Sequence, residues 1–71
     1  MIYQEALKAM KSRIKIKAAG KTYKYINAII FRKTENLEVI QLELQDINTE
    51  NSVTIVNINQ AEVADETQRE A

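Results

Sequence analysis

The feature that most constrains this fold is a period-2 alternation near the middle of the chain. Ile40, Leu42 and Leu44 alternate with polar residues over positions 40–45. Successive side chains of a β-strand point to opposite faces, so this pattern predicts a strand with one buried face and one solvated face. Residues 22–33, which precede it, are rich in the β-branched and aromatic residues that strands favour. We therefore predict an antiparallel hairpin, the central hairpin, over Thr22–Asp46.

The apolar pattern also predicts the register of the central hairpin, because a slip of one residue would turn every side chain to the other face. The predicted cross-strand partners are Ile26 with Leu44, Ala28 with Leu42, and Ile30 with Ile40. This register places Arg32 opposite Glu38, which is a favourable pair of opposite charges. It leaves Thr34–Asn36 as a three-residue loop, in which Asn36 tolerates the left-handed conformation that such loops require.

The first arm of the central hairpin is apolar on its odd-numbered positions as well. These residues are Tyr23, Tyr25, Ile29 and Phe31. A strand with two apolar faces is either buried on both sides or bent so that each half faces a different layer. In a small antiparallel protein we expect the bent strand of a barrel. The simplest role for the aromatic residues of the chain, Tyr3, Tyr23, Tyr25 and Phe31, is a second core layer under the helix, and the alternative is a groove that binds a partner.

The remaining segments predict a helix before the hairpin and short strands on both sides of it. Residues 1–12 are amphipathic, with an apolar stripe formed by Ile2, Tyr3, Ala6, Leu7 and Met10. Residues 13–17 alternate and predict a strand with Arg13, Lys15 and Lys17 on its outer face, followed by a turn at Gly20. Residues 52–59 predict a strand with a bulge near Ile55. A single helical turn over 59–61 and a short strand over 62–64 complete the pattern.

These elements predict a mainly β (α+β) fold in which an N-terminal helix precedes a five-stranded antiparallel small barrel. Their order resembles SH3-like and Sm-like small barrels over residues 13–64, and the leading helix is similar to that of Sm-like proteins. The segments Ile29–Arg32 and Ser52–Ile55 resemble short uncharacterised bacterial or prophage proteins. The resemblances imply an SH3-like barrel and no functional residue. We expect one domain over residues 1–64 and a disordered acidic tail over residues 65–71.

The composition narrows the function. The 71 residues include no cysteine, no histidine and a single glycine, which excludes a disulfide, the usual Cys/His zinc site and a glycine-rich phosphate loop. The sequence has no apolar run of about 18 residues and no signal-peptide core, so we expect a cytoplasmic protein with no transmembrane helix. We also expect no enzymatic activity, no cofactor or metal, no membrane contact and no small-molecule substrate.

Charge is distributed unevenly along the chain. Residues 1–33 carry nine basic side chains and one acidic one, whereas residues 34–71 carry one basic and nine acidic ones. This asymmetry indicates a charged partner, or two halves that neutralise each other in the fold. The side chains that could contact nucleic acid or an acidic partner are Lys11, Arg13, Lys15, Lys17, Lys21 and Lys24. The simpler interpretation is a solvated strand face that resists aggregation.

The leading hypothesis from the sequence is a non-enzymatic protein-interaction or assembly module. The two-faced strand and the divided charge would suit a protein partner or self-association, with Tyr23 and Tyr25 as the candidate partner-facing aromatics. The alternative is a nucleic-acid-binding small barrel that uses the basic N-terminal half, with the same tyrosines stacking on bases. The zero net charge argues against this alternative, because phosphate contacts need a basic surface.

Overall fold

One helix and six short strands organise residues 1–64, which are the residues that the computed structural model describes. In chain order the elements are α1 (Tyr3–Ser12), β1 (Ile16–Ala18), β2 (Lys21–Tyr23), β3 (Ile26–Lys33), β4 (Glu38–Gln45), β5 (Val53–Asn57), a 3₁₀ turn (Ile58–Gln60) and β6 (Ala61–Val63). The mainly β fold with a leading helix is therefore confirmed. The predicted tail, residues 65–71, lies outside the described residues.

The strands form two antiparallel sheets with the orders β2-β1-β6 and β3-β4-β5. Six strands appear where five were predicted, because the long first arm of the central hairpin is interrupted at Lys24 and Tyr25. The chain stays attached to β4 as it bends: Lys24 N–H donates to the Gln45 carbonyl at 2.9 Å, and Gln45 N–H donates to the Tyr25 carbonyl at 3.0 Å. Within residues 1–64 the two sheets do not join into the predicted closed five-stranded barrel.

The register of the central hairpin is as predicted only at its base. Ile26 pairs with Leu44, but a bulge between Ile26 and Ala28 shifts every later pair by one residue. Ile29 then faces Leu42, so the predicted pairing of Ala28 with Leu42 is wrong, as is that of Ile30 with Ile40. A bulge adds one residue to one strand and exchanges its two faces. The odd-numbered apolar residues of the first arm, beyond the bulge, therefore face the core.

The same shift changes the tip of the hairpin. Lys33, rather than Arg32, pairs with Glu38, and their side chains form an exposed ion pair at 3.9 Å. The connection is thus the four residues Thr34–Leu37 and not the predicted three. Thr34 N–H donates to the Leu37 carbonyl at 2.8 Å, and Leu37 N–H donates to Thr34 Oγ1 at 3.0 Å, so both ends of the loop are closed by hydrogen bonds.

The core lies between α1 and the two sheets. The largest fully buried side chains are Ile16 of β1 and Leu42 and Leu44 of β4. The helix contributes Ala6 and Ala9, both buried, and these small side chains allow its backbone to lie close to β3. The apolar stripe predicted for the helix is only partly buried, because Ile2 and Tyr3 at its N-terminal end remain exposed.

Residues with positive φ lie before and after β1. Arg13 ends the helix in the left-handed region, with φ 54°, and is not the outward strand residue that we predicted. Its N–H donates to the Met10 carbonyl at 3.3 Å, which satisfies one of the free carbonyls of the last helical turn. The predicted turn at Gly20 is confirmed: Ala19 and Gly20 both have positive φ, as a two-residue hairpin loop of type I′ requires.

A buried amide holds the connection between β4 and β5. Gln45 Nε2 donates to three backbone carbonyls of this connection, at 3.2 Å to Thr49, 2.9 Å to Glu50 and 3.3 Å to Ser52. Its Oε1 accepts a hydrogen bond from Asn27 Nδ2 at 2.9 Å. The bulge residue of β3 and the connection are therefore linked through one side chain.

The β5 strand is more regular than its sequence suggested. It pairs with β4 without interruption from Gln45 opposite Val53 to Gln41 opposite Asn57, so the bulge predicted near Ile55 is absent. Val53 and Ile55 face away from the core, whereas Val56 packs against it. The apparent shift in the apolar pattern arises because β5 carries apolar residues on both faces.

Candidate interaction surface

The predicted basic residues do not share one face of the molecule. All six are exposed: Lys11 in α1, Arg13 at its end, Lys15 and Lys17 in or beside β1, Lys21 in β2, and Lys24 in the bend before β3. Lys21 pairs with Ala18, whose side chain is on the core side of the sheet, whereas Lys17 pairs with Thr22 and lies on the other side. Lys17 also lies directly opposite Glu62 of β6. The cations are thus divided between faces and partly offset by acidic neighbours.

The two tyrosines that we selected as partner-facing make contacts within the chain instead. Tyr23 is only 4% exposed and belongs to the core, so its assignment to a partner surface is wrong. The ammonium of Lys21 lies 5.8 Å from the centre of its ring. Tyr25 is half-buried, and the guanidinium of Arg13 lies 4.9 Å from its ring centroid, as in a cation–π contact. Arg13, the left-handed residue at the end of the helix, therefore packs on the Tyr25 ring, which we had proposed as a partner contact.

Large apolar side chains are exposed at a different place, where α1 begins and where the β3–β4 hairpin extends past this end of the helix. Ile2 is 66% exposed, Phe31 is 64% exposed and Tyr3 is 39% exposed. The Tyr3 and Phe31 rings are in contact, with centroids 5.4 Å apart and planes inclined by 59°. Phe31 lies opposite Ile40 on the same face of the sheet. We call this surface, formed by Ile2, Tyr3, Phe31 and Ile40, the end patch.

The end patch exists because the helix is shorter than the hairpin that it covers. The bulge at Asn27 turns Ile29 and Phe31 toward the side of the sheet on which α1 packs. The buried helical residues are Ala6 and Ala9, so the helix covers the sheet along its later turns, whereas Phe31 contacts Tyr3 at the start of the helix. The last core row of the hairpin is therefore open to solvent.

The end patch borders a recess of about 260 Å³. Its walls are formed by Phe31, Arg32, Glu38, Val39 and Ile40. An apolar floor with an arginine and a glutamate at its margin is the composition expected of an interface core with a polar rim. The recess is small beside the cavities that enclose drug-sized ligands, so it suits one or two side chains of a partner.

The end patch contains Tyr3 and Phe31, which were considered for a partner-binding groove, but neither Tyr23 nor Tyr25, which were singled out. The period-2 pattern assigned Phe31 to an aromatic layer but gave no reason to single it out, because the position of the bulge decides which face it joins. The exposure of Ile2 follows from where α1 packs, which the amphipathic stripe alone does not show. One weak indication of this exposure was present in the sequence. Ile2 and Tyr3 are adjacent, and such a short helix has few positions at which two neighbouring side chains can both be buried.

Comparisons of the chain with protein-family models, with curated proteins and with solved structures found no match. Neither of the two helical segments within residues 1–64 is long and apolar enough to cross a membrane. Over the same residues, no three His, Cys, Asp or Glu side chains are grouped as metal ligands.

Proposed function

We propose that this chain is a protein-interaction module that binds a partner protein through the end patch. The observation that carries the proposal is the exposure of Phe31, the only phenylalanine of the chain, in contact with the exposed Tyr3. Burying a side chain of this size stabilises a complex by about 1.5–3 kcal/mol. Single exposed apolar residues are common on protein surfaces, but two exposed aromatic rings in contact beside a recess are typical of an interaction site.

The architecture that carries the patch is, in our proposal, an SH3-like bent sheet. The interruption at Lys24 and Tyr25 divides one long strand into β2 and β3, and counting these as two halves of one strand gives five strands. Support comes from the two backbone hydrogen bonds that hold the interruption to Gln45 and from the 3₁₀ turn before the last strand. In such an arrangement the bent strand contributes to both sheets.

The alternative of nucleic-acid binding is not supported by the positions of the basic side chains. Lys17 and Lys21 are on opposite faces of one sheet, and Arg13 is stacked on Tyr25. Binding of single-stranded nucleic acid needs a continuous basic track with open aromatic faces. We therefore propose protein interaction as the function.

Photo-crosslinking from the end patch tests this proposal. A benzoyl derivative of phenylalanine at position 31 preserves the aromatic ring, and the same residue at Glu62, on the outer face of β6, is the matched control. We expect crosslinked protein adducts from position 31 and none of the same mass from position 62. Excess unlabelled wild-type chain should abolish the adducts, whereas excess Phe31→Ser chain should not.

Two results would contradict the proposal. One is an identical set of adducts from both positions, which would indicate random collisions. The other is equal competition by the wild-type and Phe31→Ser chains, which would show that the phenylalanine does not contribute to binding. Because Phe31 is exposed, its replacement should change the free energy of unfolding by about 0.5 kcal/mol or less, so loss of competition would not reflect unfolding.

A further inference from the structure

We propose that two copies of this chain associate by antiparallel pairing of their β5 strands across a two-fold axis at Thr54. The proposed contact is separate from the end patch and does not depend on its partner. It would join the two β3-β4-β5 sheets into one continuous six-stranded sheet.

The backbone of β5 presents free hydrogen-bonding groups on the side away from β4. Asp46 N–H donates to the Ser52 carbonyl at 3.1 Å, so position 52 points toward β4. In an antiparallel pair, residues that exchange hydrogen bonds with the neighbouring strand alternate with residues that do not. With the observed register, Thr54 and Val56 therefore also point toward β4, and the N–H and C=O groups of Val53 and Ile55 point outward. No strand among the described residues pairs with this edge.

The β5 edge lacks the features that normally prevent strand pairing. Residues 51–61 are eleven consecutive uncharged residues in a chain that is 28% charged, and they include no proline. Proteins usually protect exposed edges with lysine, proline or an inward-pointing charge. The strand β3 carries Arg32 and Lys33, and β6 carries Glu62, but β5 has no equivalent. An uncharged, regular edge rich in β-branched residues therefore favours association.

A second copy of the same strand matches this edge. With the axis at Thr54, Val53 of each copy lies opposite Ile55 of the other, and the outward groups of these residues can form four backbone hydrogen bonds. The pairing would cover Val53, now 43% exposed, and Ile55, now 45% exposed. The chain has zero net charge, so two copies do not repel each other through their overall charge.

The hydrogen bonds of the 3₁₀ turn select this register over its neighbour. An axis at Ile55 would place Asn57 opposite Val53 and would require the Asn57 N–H as a donor. That N–H already donates to Gln60 Oε1 at 3.1 Å, in the capping arrangement of the turn. The axis at Thr54 uses no group that is already bonded within the chain.

Sedimentation equilibrium of the full chain tests the proposal. We expect the average mass to rise with concentration from 8.2 kDa to twice that value and no further, because a two-fold contact closes on itself. The variant Ile55→Lys should remain monomeric, because it places a cation opposite Val53 of the other copy and brings the two introduced cations to diagonal positions across the axis. The matched control Ile2→Lys makes the same change in the end patch and should dimerise as the wild type does.

Disulfide trapping provides a second test that does not rely on a disruptive substitution. The chain has no cysteine, so Thr54→Cys introduces the only thiol. At the axis the two residues would form a pair without hydrogen bonds, with Cα atoms about 4.5 Å apart, which is within the range that a disulfide spans. We expect rapid crosslinking of Cys-substituted position 54 under mild oxidation and slow crosslinking of the exposed control Thr49→Cys.

Several outcomes would overturn the pairing. The proposed pairing is wrong if the chain remains monomeric at millimolar concentration and both cysteine variants form disulfides at equal rates. This holds even if the β5 edge binds an unrelated extended peptide. Association that persists in Ile55→Lys but is lost in Ile2→Lys would place self-association at the end patch instead. Growth beyond the dimer would exclude two-fold closure. If the photo-crosslinker at position 31 gives no specific adducts while the chain still dimerises, the proposed function is refuted and the β5 pairing stands.

Discussion

The buried amide of Gln45 shows how much of a small fold can depend on one polar side chain. Its hydrogen bonds reach Asn27 on one side and three backbone carbonyls of the β4–β5 connection on the other. A buried polar group is tolerated only when it is hydrogen-bonded, and removing its partner leaves backbone groups unpaired. Gln45 therefore matters more than its place on the polar face of an alternating strand suggests.

Replacement of Gln45 by leucine should lower the free energy of unfolding by about 1–3 kcal/mol, because the Glu50 carbonyl and the Asn27 amide lose their partner. The Thr49 and Ser52 carbonyls keep the N–H groups of Ser52 and Asp46 as donors. Urea denaturation followed by circular dichroism measures the effect. The matched control is Gln41→Leu in the same strand, whose hydrogen bonds to Arg32 and Asn57 are exposed and whose loss should cost about 0.5 kcal/mol or less. Equal losses for the two variants would show that the amide of Gln45 is not a special support.

At the level of elements, the bulge in β3 decides which residues form the core and which form the end patch. Ile26 and Ala28 would be regular neighbours in the ladder if Asn27 were absent, because their partners Leu44 and Glu43 are consecutive. The bulge thus inserts one extra residue between two regularly paired segments. Its contribution is the local bend and the hydrogen bond from Asn27 to Gln45.

Deletion of Asn27 should therefore be tolerated better than deletion of Ile29 in the same strand. Without Asn27 the pairing of the hairpin remains, and we expect a loss of about 1–2 kcal/mol for the missing hydrogen bond and bend. Without Ile29 the rest of the strand shifts by one position, which places Arg32 on the apolar face opposite Ile40 and exchanges the two faces of the strand, and we expect a larger loss than for Asn27. Chemical denaturation of both variants distinguishes the cases, and equal destabilisation would contradict the role assigned to the bulge.

The same element explains where the sequence was sufficient and where it was not. Alternation located both arms of the hairpin, and the pairing of Ile26 with Leu44 was predicted correctly. Beyond that pair the prediction failed, because both faces of the first arm are apolar and either register buries large side chains. The bulge depends on tertiary contacts of Asn27 that a periodic pattern does not contain. Phe31 was therefore assigned first to a core layer, with a partner-binding groove as the alternative.

At the level of the whole molecule, the helix and both sheets share one core. The buried cluster includes Ala6 of α1, Ile16 and Ala61 of one sheet, and Leu42 and Leu44 of the other. A chain of 71 residues has little interior, so each large buried side chain carries much of the stability.

Substitution of Leu42 by alanine should consequently destabilise every element together. The side chain is fully buried, and its truncation should cost about 2–5 kcal/mol. The circular dichroism signals of the helix and of the sheets should disappear together in one transition, at a lower melting temperature than in the wild type. The exposed Leu37 at the hairpin tip is the matched control, and Leu37→Ala should leave the transition nearly unchanged. Separate transitions for helix and sheet would contradict a shared core.

The hydrogen bonds of Gln45 have a consequence for sequence variation. All three acceptors in the β4–β5 connection are main-chain carbonyls, so the anchoring does not depend on which side chains stand at Thr49, Glu50 and Ser52. Homologous chains could diverge at these positions while keeping the same loop conformation, provided that the glutamine is retained. The connection is for the same reason a suitable place to graft a foreign peptide, which would be displayed on a fixed backbone.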